Sequence, residues 1–129
     1  MHIYESAENY LEAILIIQER RGSVRSIDIA NELNFSKPSV SVAMKKLRES
    51  GYVEMDADGS IRLLPAGLAI AEHIYERHRM LTDFFQWLGV DAETAAADAC
   101  KVEHDLSEET FGRIKEHVRR TMGADEAEN

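Results

Sequence analysis

Apolar residues recur along most of this chain at the three- and four-residue spacing of a helix face. The first such face extends over residues 6–21 and ends at Gly22. A short helix over residues 27–33 follows, and a third helix begins near Pro38, since a proline suits the first turn of a helix. Gly51 marks the end of this third helix. The pattern therefore predicts three helices in the first fifty residues.

The period then changes to the alternation that is typical of β-strands. Residues 52–55 and 60–63 are short alternating runs, and the pair Asp58-Gly59 between them is a strong turn signal. Two helices, a turn, a third helix and a hairpin follow one another in the order of a winged helix-turn-helix. The first part of the chain is therefore predicted to be such a domain.

Helical spacing returns at Pro65 and continues to about Met122. It predicts a long helix over 65–88, a helix of small residues over 92–102, and a last helix that Ser107 begins. The predicted fold class is mainly α, with an N-terminal winged helix-turn-helix and then a helical domain. The predicted divisions are the winged helix-turn-helix at 1–65, the helical domain at 66–122 and a disordered acidic tail at 123–129.

The distribution of charge supports this division. The net charge of −9 argues at first sight against a nucleic-acid-binding protein. However, residues 20–65 carry eight Lys or Arg and six Asp or Glu, whereas residues 66–129 carry seven and fourteen. A weakly basic module followed by an acidic one is compatible with DNA binding through the first module only.

Three features bear on the compartment. The longest apolar run, residues 13–17, is far shorter than the roughly 20 residues that a membrane-spanning helix needs. The N-terminus has no basic region that leads into an apolar stretch. The single cysteine, Cys100, excludes an internal disulfide and suits a reducing compartment. A cytoplasmic protein with no membrane partner is predicted.

The start of the third helix has the composition of a DNA-reading element. Hydroxyl side chains are short, so they let a recognition helix approach the major groove, and lysines further along can meet phosphates. Lys37, Ser39 and Ser41 are the candidates for base edges. The full set of predicted DNA contacts is Arg25, Ser36, Lys37, Pro38, Ser39, Ser41, Lys45, Lys46 and Arg62.

A second cluster has metal-ligand chemistry. Cys100, Glu103 and His104 stand at i, i+3 and i+4 of a predicted helix, so their side chains share one face and can converge on one ion. Thiolate, carboxylate and imidazole together suit a divalent transition metal better than Mg²⁺ or Ca²⁺. A separate apolar stripe is interpreted as the core of a dimer interface, and its members are Leu81, Phe84, Phe85 and Leu88.

Over nearly all of residues 4–121 the sequence resembles the diphtheria toxin repressor family of iron- and manganese-dependent regulators. Four stretches carry the resemblance: residues 8–14 (ENYLEAI), residues 28–30 with 38–41 (DIA and PSVS), residues 77–81 (RHRML) and residues 99–107 (ACKVEHDLS). The last two stretches, in this order behind a winged helix, are the most specific part of the match.

The resemblance implies further metal ligands at Glu12 and His78. It also places Asn9 where family members have an aspartate or methionine ligand. Two alternatives stay open there: Asn9 offers its carbonyl oxygen, or neighbouring Glu8 takes its place if the first helix rotates slightly. Cys100 follows the iron-responsive branch, whereas manganese-responsive members carry glutamate at that position and share the two-domain length of this chain. The expected cofactor is therefore Fe²⁺ or Mn²⁺.

What the resemblance implies for function is a homodimeric repressor of metal-homeostasis genes, not an enzyme. Metal binding is expected to lock the dimer so that it binds a palindromic operator in double-stranded DNA. Two alternatives stay open. One is a winged-helix regulator that senses redox state or a small ligand through Cys100. The other is a metalloenzyme that uses Glu103 and His104, although the sequence has no nucleophile–base set or phosphate-binding loop to support it.

Overall fold

The computed structural model describes residues 5–128, with side chains described as far as residue 121. Over this part of the chain, six helices and one two-stranded sheet occur in the predicted order. They are α1 (Glu5–Arg21), α2 (Ser26–Leu33), α3 (Lys37–Glu49), β1 (Val53–Met55), β2 (Ile61–Leu63), α4 (Pro65–Trp87), α5 (Ala92–Val102) and α6 (Glu108–Glu128). The predicted mainly helical fold is confirmed. None of the described helices is long and apolar enough to cross a membrane.

The first compact unit ends at Tyr75 and is built on the apolar face of α1. This face contacts α2, α3 and β2. Burying one large aliphatic side chain contributes about 1.5–3 kcal/mol, so this core fixes the orientation of α3. The principal core residues are Leu11, Ile14, Ile17, Val24, Ile29, Val40, Met44, Leu47, Val53, Ile61 and Ala71.

Local hydrogen bonds determine where α2 and α3 begin. Helix α2 begins at Ser26, one residue earlier than predicted, and its N-cap is Arg25, whose backbone N–H donates to the Asp28 carboxylate at 2.9 Å. Ser36 is the N-cap of α3, and its hydroxyl oxygen accepts the Ser39 backbone N–H at 3.3 Å. These caps set the register of the helix that was predicted to read DNA.

The wing is a tight antiparallel hairpin in which Glu54 lies opposite Arg62. Its turn closes through the Asp56 N–H, which donates to the Ser60 carbonyl oxygen at 2.9 Å. Gly59 has a φ of +89°, a conformation that L side chains rarely adopt. Each strand begins one residue later than predicted.

The start of α4 lies against the segment that leads into β1. A Cβ added at Gly67 would overlap the Tyr52 carbonyl oxygen. The same carbonyl accepts the Leu64 N–H at 2.9 Å. Glycine is therefore required at this point of α4.

The second compact unit begins at Glu76, within α4, and includes α5 and α6. Ala95 and Ala99 lie one turn apart on the buried face of α5, where small side chains allow close packing. Ser107 is the cap of α6, because its hydroxyl accepts the Thr110 N–H at 3.1 Å. The other buried apolar residues of this unit include Leu81, Phe111 and Val118.

Two features of the structure bear on the predicted domain divisions, which stay predictions. Helix α6 continues to Glu128, beyond its predicted end near Met122 and through the expected disordered tail. One glycine inside a helix costs only about 1 kcal/mol, and the Ala and Glu residues that follow Gly123 are good helix formers. The compact units divide after Tyr75, whereas the predicted boundary at residue 65 coincides with the start of α4. That boundary stays a prediction.

Candidate metal centre and DNA-binding surface

The second unit encloses the carboxylate of Glu103, which is fully buried at the end of α5. Its Oε2 atom lies 2.8 Å from Nδ1 of His78 on α4. Its Oε1 atom lies 3.4 Å from Nε2 of His104 and has no hydrogen-bond partner among the described residues. The carboxylate is therefore held between two imidazole rings.

This arrangement fits a divalent cation. A buried carboxylate is costly unless it is paired or coordinates a metal, and a buried oxygen without a hydrogen bond calls for a further partner. Imidazole nitrogens combined with carboxylate oxygens suit divalent transition metals, whereas Mg²⁺ and Ca²⁺ prefer oxygen ligands alone. The predicted ligands His78, Glu103 and His104 are thus adjacent in one unit.

Arg77 organises the turn that carries this carboxylate. Its side chain is almost fully buried, and its Nη1 atom donates to the carbonyl oxygens of Glu103 at 3.1 Å and Leu106 at 2.7 Å. Nη2 donates to Glu108 Oε1 at 3.2 Å. The guanidinium also lies over the ring of Phe111, 4.9 Å from its centroid. Arg77 therefore fixes the backbone between α5 and α6.

Sequence reasoning missed this role, although Arg77 is part of one of the stretches that carried the resemblance. A signal was present: Ile74, Arg77 and Leu81 stand at i, i+3 and i+7 of a helix, and all three are buried. An arginine within an otherwise apolar stripe indicates a buried guanidinium, which needs several acceptors.

Cys100 lies on the last turn of α5 and its residue is exposed. The helix is capped by Asp91, which accepts the Thr94 backbone N–H at 3.3 Å. Hydrogen bonds from the side chain and backbone of Thr94 lower the pKa of Asp91. Among the described residues, His78 and Glu103 belong to a group whose possible ligand atoms all lie within 4.8 Å of one another. Cys100 is not a member of that group. Its role as a ligand stays a prediction.

The two predicted ligands of the first unit lie on α1. Glu12 is buried on the apolar face of the helix, with 7% of its surface exposed, and Asn9 is half-buried. A carboxylate on a buried helix face is unusual, because burial disfavours the charged form. As metal ligands, both residues stay predictions.

The outer face of α3 presents most of the predicted DNA contacts to solvent. The exposed ones are Lys37, Pro38, Ser39, Ser41, Lys45 and Lys46. Ser36 is exposed as well, but its hydroxyl donates to Ser39 Oγ at 2.8 Å, so both hydroxyls take part in the helix cap. A positive, exposed face with short polar side chains is compatible with DNA contact.

The two predicted phosphate contacts outside α3 have acidic partners. Arg62 binds Glu54 and Asp56, with its Nη2 atom 2.8 Å from a carboxylate oxygen of each. The hydrogen bond with Glu54 and the charges of both acids raise the pKa of Arg62. Arg25 lies 4.0 Å from Asp58. Acidic residues of the hairpin thus pair with both arginines, so the sequence prediction for Arg62 and Arg25 receives no support from their surroundings.

The predicted dimer residues differ in exposure. Leu81 is 1% exposed, so it packs within its own protomer, whereas Leu88 is 59% exposed. Phe84 and Phe85 are half-buried. Trp87, which is exposed, stacks on Phe84 with ring centroids 6.3 Å apart. The exposed aromatic and aliphatic side chains at the end of α4 and just after it fit an interface. Leu81 is buried in the core of its own protomer, so it supports such an interface without being exposed at it.

A three-helix unit with a two-stranded wing, followed by a helical unit that encloses a carboxylate between imidazoles, defines a class: winged-helix DNA-binding proteins with a metal-binding domain. Comparison with known families agrees. Residues 2–61 match the "Iron dependent repressor, N-terminal DNA binding domain" and residues 64–122 match the "Iron dependent repressor, metal binding and dimerisation domain". The chain therefore belongs to the iron-dependent repressor family.

Individual relatives agree with this assignment. An uncharacterised HTH-type transcriptional regulator of Methanocaldococcus jannaschii is 36% identical over 113 residues, which cover 86% of this chain and 90% of that protein. The transcriptional regulator MntR of Salmonella typhimurium is 34% identical over 110 residues, which cover 85% and 70%. The solved structure of a manganese-dependent transcriptional repressor in complex with manganese has a TM-score of 0.80 and 28% identity, over 87% of this chain. This chain spans about half (52%) of that structure's length.

Family membership confirms several predictions. The protein is a metal-dependent, DNA-binding transcriptional regulator of a repressor family and not an enzyme. Its second domain binds divalent metal, and the two domains imply DNA and a second copy of the chain as partners.

Proposed function

We propose that this protein is a cytoplasmic, Fe²⁺- or Mn²⁺-dependent repressor of metal-homeostasis genes. The observation that carries the proposal is the fully buried carboxylate of Glu103, which lies between His78 and His104. One of its oxygens accepts no hydrogen bond from the part of the chain that the structure describes. The related solved structure, a manganese-dependent repressor that holds manganese, supports a metal of this class.

The proposed ligand set is centred on His78 and Glu103 and is completed by Glu12, Cys100, His104 and the carbonyl oxygen of Asn9. A bound divalent cation supplies the positive charge that offsets these carboxylates. The thiolate of Cys100 favours Fe²⁺ over Mn²⁺, because it is the softest ligand of the set. Both metals stay candidates.

The proposed ligands come from two parts of the chain: Asn9 and Glu12 from α1, and the others from the second unit. When these residues bind the same ion, the protein is restricted to fewer conformations. It acts as a repressor if the conformation that the ion selects is the one that binds DNA. In a dimer this requires the two α3 helices to stand about 34 Å apart, one turn of DNA, as a palindromic operator demands.

The test is fluorescence anisotropy with duplex DNA from the protein's own promoter, with and without Mn²⁺ or Fe²⁺. We expect either metal to strengthen DNA binding by the natural protein. Glu103→Gln keeps the size of the side chain and removes its charge. It should lower metal affinity by more than the roughly 10–100-fold typical of residues that only support a ligand. Glu109→Gln, an exposed position on α6, is the matched control and should leave the response intact.

Equal DNA affinity with and without metal in the natural protein would contradict the proposal. A Glu103→Gln variant that keeps the full metal response would place the metal elsewhere.

The exposure of Cys100 also fits the redox alternative, because a sensor cysteine must be reached by an oxidant. The two functions differ in what Cys100→Ser does. A redox regulator would lose its response to peroxide and keep DNA binding that needs no metal. A metal-dependent regulator would show weaker metal affinity and would still require metal to bind DNA.

A further inference from the structure

Helix α3 exposes an apolar side chain at the centre of its outer face. Val42 is 55% exposed, whereas Val40 and Met44, two residues away on either side, are buried. An α-helix turns by roughly 100° per residue, so Val42 points away from the core that these neighbours enter. It is also more exposed than Ile27, Phe35 and Leu68, the other exposed large apolar residues of the first unit.

Nothing in the fold of the described residues requires valine at this position. A β-branched side chain is a poorer helix former than most residues, and an exposed one gains little from burial. A polar or charged residue would serve an exposed helix position better. The side chain is therefore expected to have its role in contact with another molecule.

The neighbours of Val42 indicate which molecule this is. Pro38 lies one turn before it, and Lys45 and Lys46 lie one turn after it, all of them exposed. The last turn also carries Arg48. Cations near an exposed apolar side chain suit a helix that contacts phosphates at its edges while its centre faces the base edges in the major groove.

The chemistry of that floor narrows the contact further. Base edges in the major groove are hydrogen-bond donors and acceptors, with one apolar exception, the 5-methyl group of thymine. Valine offers neither a donor nor an acceptor. We propose that Val42 is a specificity-determining residue that contacts a thymine methyl group in the operator. This inference rests on the proposed function, since it requires α3 to enter the major groove.

The experiment begins with selection of a binding sequence from a random duplex pool, with Mn²⁺ or Fe²⁺ present. Each thymine of the selected duplex is then replaced singly by deoxyuridine, which removes only the methyl group. The natural protein should lose about three- to fivefold in affinity at one or two thymines per half-site, the effect of exposing one methyl-sized group. Replacements elsewhere should have no effect.

Variants assign the effect to Val42. Val42→Ala should bind the thymine duplex more weakly and should no longer distinguish deoxyuridine at those positions. Ile27→Ala is the matched control, an exposed apolar residue on α2, and it should keep the full deoxyuridine effect. If Val42→Ala binds too weakly to measure, Val42→Thr keeps one methyl group and should show a reduced effect.

Three outcomes would overturn the inference: a pool that does not converge, a deoxyuridine scan without effect, or a Val42→Ala variant that keeps the natural pattern. In the last two cases metal-dependent DNA binding persists and the proposed function stands. An absence of DNA binding under every metal condition would overturn both.

Discussion

A buried guanidinium needs acceptors for its N–H groups, and Arg77 finds most of them in the backbone of one turn. Two of its hydrogen bonds end on the carbonyl oxygens of Glu103 and Leu106. Its Nε atom is buried and has no hydrogen-bond partner within the described ranges, which adds a free-energy cost that the fold must offset. Because Arg77 is retained in spite of this cost and binds the backbone carbonyl of Glu103, we expect it to be a positioning residue for the metal site.

The Arg77→Lys variant tests this role. Lysine keeps the charge but cannot reproduce the planar fork that spans two carbonyls, so the turn should lose its fixed geometry. We expect metal affinity to fall by about 10–100-fold, the range for residues that orient a ligand. Arg79→Lys, its exposed neighbour on α4, is the control and should leave metal affinity unchanged.

Titration calorimetry with Mn²⁺ measures the metal affinity, and thermal unfolding in EDTA measures the stability of the metal-free protein. Normal metal affinity in Arg77→Lys, together with a lowered unfolding temperature, would mean that Arg77 serves the fold alone.

At the scale of elements, the exposed cations of α3 and those of the wing differ in whether they form ion pairs. Arg62 is held by Glu54 and Asp56 on the hairpin itself. Lys45 and Lys46 project from α3 without any carboxylate within ion-pair distance among the described residues. A phosphate contact from the wing is therefore less favourable in free energy than one from α3, because Arg62 would have to break its ion pairs with two carboxylates before it could bind a phosphate.

The salt dependence of DNA binding tests this difference. Each phosphate contact contributes about 0.9 to the slope of log affinity against log salt concentration. Lys45→Ala should reduce the slope by about this amount, whereas Arg62→Ala should leave it nearly unchanged. The reverse pattern in an anisotropy titration across salt concentrations would show that the wing meets the phosphate backbone.

The elements themselves could be predicted because their signals are local. Apolar spacing located all six described helices, and Asp58-Gly59 located the hairpin turn, since period and turn chemistry act over a few residues. Helix α6 ends at Glu128, beyond the end near Met122 that the helical spacing predicts. Helix ends depend on small energies of about 1 kcal/mol, which a single residue does not decide.

Pairings between distant positions could not be predicted in the same way. The adjacency of His78 and Glu103 came from the family resemblance, because 25 residues separate them and no local pattern links them. The Arg77 contacts with the turn after α5 were missed for the same reason. The Arg62 ion pairs join positions only six and eight residues apart within the hairpin, where Glu54 lies opposite Arg62. Val42 was not among the predicted DNA contacts, which apart from Pro38 are hydroxyl-bearing or cationic residues, and the structure places its side chain outside the core.

At the scale of the whole molecule, the chain joins a DNA-binding domain to a domain that binds metal and dimerises. Its acidic second part is unsuited to DNA, so affinity must come from the first part. A regulator of this kind requires a free-energy coupling between its two sites, and such a coupling is reciprocal. Metal must strengthen DNA binding by the same factor by which DNA strengthens metal binding.

The most direct measurement is the complete thermodynamic cycle: DNA affinity with and without Mn²⁺, and Mn²⁺ affinity with and without operator DNA. For the natural protein we predict equal factors in both directions, within the roughly 5–150-fold range of allosteric coupling. For Glu103→Gln we predict a factor near one. A natural protein that binds both ligands tightly, yet with a coupling factor of one, would contradict the account.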